Sequence, residues 1–237
     1  MIKAVVFDVD DTLYMRSEPY LAAFHEMYGE RFDVDDDKLF EASRYWSDEE
    51  FYRVNRGEIT KKQMYINRGV RTLAEVGIAM SDEEALHFQD LYTEKLDDIH
   101  LLPGMRRILE ECRRRGLFLG IISNGVSERQ RSKTRTLGVE QFIPEDHILI
   151  TGDIETHKPD PRLFHIYEER FGLSPAETCY VGDNFRNDVQ GPHDVGWQTA
   201  WILRKNLYTD EEVELARPWV GVMSPREEDL LRYILEE

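Results

Sequence analysis

Only two cysteines, Cys112 and Cys179, occur in the 237 residues, one in a helical pattern and one in a strand pattern. A pair so placed implies no disulfide framework and is expected to remain as two reduced thiols in a cytoplasmic protein. Long apolar runs are missing too: no stretch approaches the roughly 18 apolar residues that a membrane-spanning helix requires. The chain opens on an apolar strand pattern rather than a basic region followed by a long apolar run, so neither export nor membrane insertion is expected. Positive charge is scarce. Thirty basic residues face 47 acidic ones, a formal charge of −17, which repels nucleic-acid polymers and anionic membranes at long range. A small anionic ligand would therefore need a local positive site. Internal repeats and low-complexity tracts are absent, and the seven histidines show no metal-ligand spacing. What remains, 41% hydrophobic and 32% charged residues, suffices for a real core and excludes a disordered chain.

The length suits one large domain, or one domain carrying a sizeable insert. IKAVVFDV (2–9) is short, nearly all apolar and rich in β-branched residues, as expected of a strand buried on both faces. LFLGIIS (117–123), HILIT (147–151), TCYVG (178–182) and TAWIL (199–203) read the same way, and WVGVM (219–223) is a further candidate. Between them PGMRRILEECRRRG (103–116), SERQRSKTRTLG (127–138) and PDPRLFHIYEERFG (159–172) start at Ser or Pro and end at Gly, as helices do. SPREEDLLRYILEE (224–237) reads as a closing helix. This alternation predicts an α/β fold with a Rossmann-like parallel sheet. Residues 15–97 break the rhythm with four helical patterns and no convincing strand. SDEE (81–84) there is a capping-box signature, and DVDDDK (33–38) reads as a solvated turn and helix start, since it lacks the Gly and distal Glu of a calcium loop. The expected organisation is a discontinuous α/β core, 1–14 and 98–237, interrupted by an all-helical domain, 15–97.

In open α/β sheets the ligand lies off the carboxyl ends of the strands. After the first run, FDVDDTL supplies Asp8, Asp10, Asp11 and Thr12; after the second come Ser123, Asn124 and Gly125. Lys158 follows the third run, within HKPDP, and Asp183 and Asp188 follow the fourth, within GDNFRND. Crowded carboxylates need a cation, protonation or water to offset their repulsion, and a hard cation such as Mg²⁺ takes oxygen ligands of this kind. A lysine and a hydroxyl alongside suit phosphate oxygens, and a free carboxylate can attack phosphorus. The inventory points to phosphoryl transfer.

FDVDDTL, ISNG, KPDP and VGDNFRND, in this order, resemble the four motifs of the haloacid dehalogenase superfamily, over residues 2–14 and 100–205. The resemblance implies that Asp8 is a nucleophile and Asp10 a general acid and base. It likewise implies that Ser123 and Lys158 bind phosphate, with Asn124 and Gly125 lining the same site. Mg²⁺ would be held by an Asp8 side-chain oxygen, the Asp10 backbone carbonyl and Asp183, with Asp188 supporting that shell. The insert resembles the helical cap of one branch of the superfamily. Asp10 separates the reactions, because dehalogenases of the family lack this second aspartate and need no Mg²⁺. The expected activity is therefore Mg²⁺-dependent hydrolysis of a small phosphorylated metabolite: a sugar phosphate, a phosphoglycolate-like compound or a nucleoside monophosphate. A phosphomutase, or a non-catalytic Mg²⁺- or phosphate-binding partner protein, is the alternative. ISNG and YRVNRGEITKKQ (52–63) resemble phosphoglycolate-phosphatase-like and nucleotidase-like members. Arg44, Tyr45, Trp46, Tyr52, Arg53, Asn55 and Arg56 could stack on or pair with a leaving group, although a four-helix domain must also bury aromatic residues. Oligomeric state is not legible.

Overall fold

The computed structural model describes residues 1–204 and 207–236. Six strands form one parallel sheet: β1 (Ala4–Phe7), β2 (Phe118–Ser123), β3 (Ile148–Ile150), β4 (Thr178–Gly182), β5 (Gln198–Ile202) and β6 (Val222–Ser224), in the order β3-β2-β1-β4-β5-β6. β1 is central and wholly buried, which is why its four residues are all apolar. Phe7 is level with Ile121 on one side and Val181 on the other, so the chain leaves β1, β2 and β4 along one rim. The sheet order reverses at β1, the place where such sheets form a ligand crevice.

The chain divides into two compact units, Met1–Met15 with His100–Glu237, and Arg16–Ile99. In the first, the helices are α5 (Pro103–Arg114), α6 (Ser127–Thr136), α7 (Pro161–Phe171), the short α8 (Gly191–Asp194), α9 (Asp210–Ala216) and α10 (Glu227–Leu235). Val6, Ile122, Leu149, Leu163, Phe164, Tyr167, Tyr180 and Trp197 pack as one buried cluster between sheet and helix. The second unit holds α1 (Ser17–Tyr28), α2 (Asp36–Asn55), α3 (Lys61–Glu75) and α4 (Asp82–Lys95). Its core is built on Tyr20, Phe24, Leu39, Ile66, Leu73 and Phe88, and its polar heart is Glu50. That carboxylate is fully buried and is held by Arg53 at 3.0 Å, Asn67 at 2.7 Å and Arg71 at 3.5 Å.

Local signals explain the element ends. Ser81 and Glu84 cap α4 reciprocally, and Asp35 of DVDDDK caps α2 by accepting from the amides of Asp37 and Lys38. The final strand, Val222–Ser224, begins three residues into the run 219–223 and ends one residue beyond it, because Pro218 puts Arg217–Trp219 into a 3-10 turn. α9 carries a capping box, Thr209 with Glu212, that the apolar pattern did not reveal. The closing helix occupies Glu227–Leu235; Glu237, like Lys205 at the end of the motif-bearing stretch, lies outside the described residues. No helix among the described residues is long and apolar enough to cross a membrane. Both thiols are free and buried, and burial pushes Cys112 up to about 12.

Candidate functional site

β1 delivers the first acidic motif to the rim. The Asp8 amide still bonds to the Val181 carbonyl at 2.9 Å, after which Thr12 and Leu13 both turn back to the Val9 carbonyl. That tight reversal places Asp11 at φ 58, a conformation Asp tolerates better than most residues. Arg204 clamps the reversal, donating to the carbonyls of Asp11 at 2.6 Å and Thr12 at 2.9 Å.

At the centre Lys158, 2% exposed, donates to Asp8 Oδ1 at 2.7 Å, Asp188 Oδ1 at 2.6 Å and the Tyr180 hydroxyl at 2.9 Å. Tyr180 in turn donates to the Ile122 carbonyl at 2.6 Å and so ties the lysine to β2. Asp188 sits within one π-helical turn, Phe185–Gln190, and its second oxygen accepts from the Asn184 amide at 3.0 Å. Gly182 makes room for it: a Cβ there would lie 2.4 Å from the Asp188 Cβ. Asp183 is buried, and its carbonyl accepts from Trp201 at 2.8 Å and Tyr208 at 3.2 Å. Carboxylate oxygens of Asp8, Asp183 and Asp188 all lie within 4.8 Å of one another.

The electrostatics of this cluster are unbalanced. Burial is the main force pushing Asp8 up to about 7; Lys158 opposes the rise, and the Asp188 and Asp10 charges add to it. Asp188 is raised for the same first reason, with Lys158 opposing and Asp183 adding. Burial works against the Lys158 ammonium, yet Asp188 and Asp8 outweigh it and hold its pKa well above the ordinary value. One ammonium among three buried carboxylates leaves surplus negative charge. All donors are hard oxygens, so the residues present fit Mg²⁺.

Asp10 belongs to a second group on the same rim. Its carboxylate receives the Tyr14 hydroxyl at 2.5 Å, Lys133 Nζ at 2.6 and 3.0 Å, and Gln130 Nε2 at 2.9 Å. Gln130 Nε2 also reaches Ser123 Oγ at 2.6 Å and the Asn124 carbonyl at 3.0 Å. The Asn124 side chain pairs reciprocally with the Lys158 backbone, donating at 3.1 Å and accepting at 2.9 Å. The Gly125 amide donates to Thr151 Oγ1 at 3.2 Å. Thus Asp8, Lys158, Asp183 and Asp188 converge, Asp10 and Ser123 are joined through Gln130, and the polar groups of Asn124 and Gly125 have partners within the protein.

Gln130, Lys133, Tyr14 and Tyr180 were not picked out from the sequence. A signal existed for two of them. α6 reads SERQRSKTRT, with no apolar residue, yet it buries Gln130, Lys133 and Thr134, and positions three apart share a helix face. Of the insert residues considered for a leaving group, Arg53 pairs with Glu50 and Glu58, Arg56 pairs with Glu58, and Trp46 lies under Arg71. Arg44 is buried and Tyr45 exposed.

Comparison with known proteins agrees with this architecture. A family model described as haloacid dehalogenase-like hydrolase matches residues 2–196. A phosphoserine phosphatase of Thermus thermophilus is 39% identical over 104 residues, 44% of this chain and 41% of that protein, so the chain spans well under half of it. A glyceraldehyde 3-phosphate phosphatase of Methanopyrus kandleri is 29% identical over 216 residues, 90% of this chain and 88% of the relative. The L-2-haloacid dehalogenase of Xanthobacter autotrophicus superposes with a TM-score of 0.72 at 20% identity, covering 99% of each chain, a likeness of fold. With a family model spanning most of its length and its motifs gathered on one rim, this chain belongs to the haloacid dehalogenase-like hydrolase family.

Proposed function

We propose that the protein is a Mg²⁺-dependent phosphatase of small phosphorylated metabolites, working in the cytoplasm. The observation that carries this reading is Asp10, a second carboxylate fixed beside Ser123 and two residues beyond Asp8. Hydrolysis of a phosphate ester needs such a group to protonate the leaving alkoxide and then activate water. The match to a glyceraldehyde 3-phosphate phosphatase over 90% of this chain supports the same choice.

Lys158 and the Ser123 hydroxyl orient the phosphoryl group, neutralising charge on its oxygens. An Asp8 oxygen forms a bond to phosphorus as the bond to the leaving oxygen breaks, and Asp10 gives its proton to that oxygen. Asp10 then takes a proton from water, whose oxygen attacks phosphorus and breaks the Asp8–phosphorus link, releasing inorganic phosphate. Asp8, Asp183, Asp188 and the Asp10 carbonyl would hold Mg²⁺, which would supply charge neutralisation for the carboxylates and the phosphoryl oxygens. The helical unit, Arg16–Ile99, acts in this reading as the cap that selects the leaving group.

The test is phosphate release, with Mg²⁺, from triose phosphates, phosphoserine, phosphoglycolate, hexose phosphates and nucleoside monophosphates. Turnover of at least one compound by the wild type and none by Asp8→Asn is expected. A folded wild type that hydrolyses none of them refutes the reading.

A further inference from the structure

We propose that Gln130 is a positioning residue that sets the Asp10 carboxylate and the Ser123 hydroxyl together, so that acid–base and phosphate-binding groups are oriented by one amide. The inference rests on the phosphatase reading above and adds a residue to it.

Gln130 is 2% exposed, and its Nε2 lies 2.6 Å from Ser123 Oγ, 2.9 Å from Asp10 Oδ2 and 3.0 Å from the Asn124 carbonyl. A carbonyl can only accept, so the amide nitrogen must face Asn124, and turning the amide over would set oxygen against oxygen. Its two hydrogens meet three acceptors. Of these, only the serine hydroxyl carries a proton of its own, and with a lone pair turned toward Gln130 its O–H points away, free to donate to a phosphoryl oxygen. Tyr14 and Lys133 hold Asp10 from other sides, while Gln130 extends that hold to Ser123.

The other end of the same side chain argues against a purely structural role. Gln130 Oε1 is buried with no hydrogen-bond partner among the described residues. A leucine or methionine would fill the same space without burying an unpaired carbonyl. Gln130 therefore keeps an unfavourable oxygen for the sake of its nitrogen. Its helix supports the placement: α6 starts at Ser127, immediately beyond the ISNG turn, and Gln130 projects back under that turn, where a Cβ on Gly125 would lie 3.0 Å from its Cγ.

The experiment compares kcat and KM of the wild type, Gln130→Met, Ser123→Ala and the double variant on whichever substrate the screen identifies, with melting temperature as the folding control. Gln130→Met is expected to fold and to lose roughly 10- to 100-fold in kcat, as misplacing catalytic groups does. KM should stay within about threefold, the pattern of an interaction needed in the transition state. In the Ser123→Ala background the same change should cost less, because part of its effect runs through Ser123. Gln130→His, whose ring can present an N–H, should recover part of the loss. A lowered melting temperature with unchanged kcat would mark Gln130 as packing alone and overturn the proposal. Should Gln130→Met not fold, Gln130→Glu keeps the shape but faces Asp10 with an acceptor, and wild-type kcat in that variant overturns the proposal equally. A wild type inactive on every substrate overturns the phosphatase reading and this inference with it. An active wild type with an equally active Gln130→Met overturns only the role of Gln130.

Discussion

Replacing Asp8 by Asn should end turnover and yet make the metal-free protein more stable above neutral pH. In the folded chain burial lifts the Asp8 carboxyl from the ordinary 3.8 to about 7. Because the folded state holds this proton more tightly than the unfolded state, stability from Asp8 is complete below about pH 4 and is lost as pH rises through about 7. At about 1.4 kcal/mol for each tenfold change in proton affinity, the ionised side chain costs roughly 4 kcal/mol above that pH. Asparagine never ionises. The roughly 4 kcal/mol is already net of the attraction to Lys158, which lowers the Asp8 pKa, so the expected gain at about pH 8 is roughly 3–4 kcal/mol. For a chain of this size that corresponds to roughly 6–16 °C in melting temperature. The assay is thermal unfolding of both proteins in chelator from about pH 4 to about pH 8.5, with the gap opening as pH rises. Added Mg²⁺ should stabilise the wild type and close the gap, since a cation binds the ionised carboxylate preferentially. A variant that melts at or below the wild type at about pH 8 in chelator, or gains equally at about pH 4, would refute the reasoning.

Three further outcomes are expected. Asp10→Asn should lower kcat by about 10²- to 10⁴-fold while leaving binding of inorganic phosphate, measured calorimetrically, close to that of the wild type. Gly182→Ala must displace Asp188, whose Cβ would stand 2.4 Å from the new atom. It should destabilise by about 1–3 kcal/mol in denaturant unfolding and weaken Mg²⁺ binding by titration. Glu50→Gln should destabilise the helical unit by about 1–3 kcal/mol, less than a fully buried pair because Arg53 and Arg71 remain partly in water; hydrogen exchange confined to α2 and α3 would report it.

The legible part of the site was the part written at strand ends. Asp8, Ser123, Lys158, Asp183 and Asp188 each follow an apolar run, and a parallel sheet brings the carboxyl ends of its strands to one rim whatever the helices do. The runs themselves were legible because strands buried on both faces must be apolar almost throughout, as β1 and β4 are. The start of β6 was read three residues too early because a proline, rather than hydrophobicity, sets where that strand begins. α9 escaped notice because seven residues with one buried position leave almost no apolar periodicity.

By itself, then, the sequence determined the sheet, its order of alternation with helices, and the residue types offered at the rim, since these follow from apolar runs and from backbone direction. Only the tertiary structure decided how those residues divide into two groups. Lys158 binds Asp8 and Asp188, while Asp10, two residues from Asp8, is taken by Tyr14, Lys133 and Gln130. Gln130 and Lys133 lie 120 and 123 residues away from Asp10 on a helix without an apolar face. Packing of that helix against the rim brings them there; their spacing of three puts them on one helix face, but no local pattern along the chain records what that face meets.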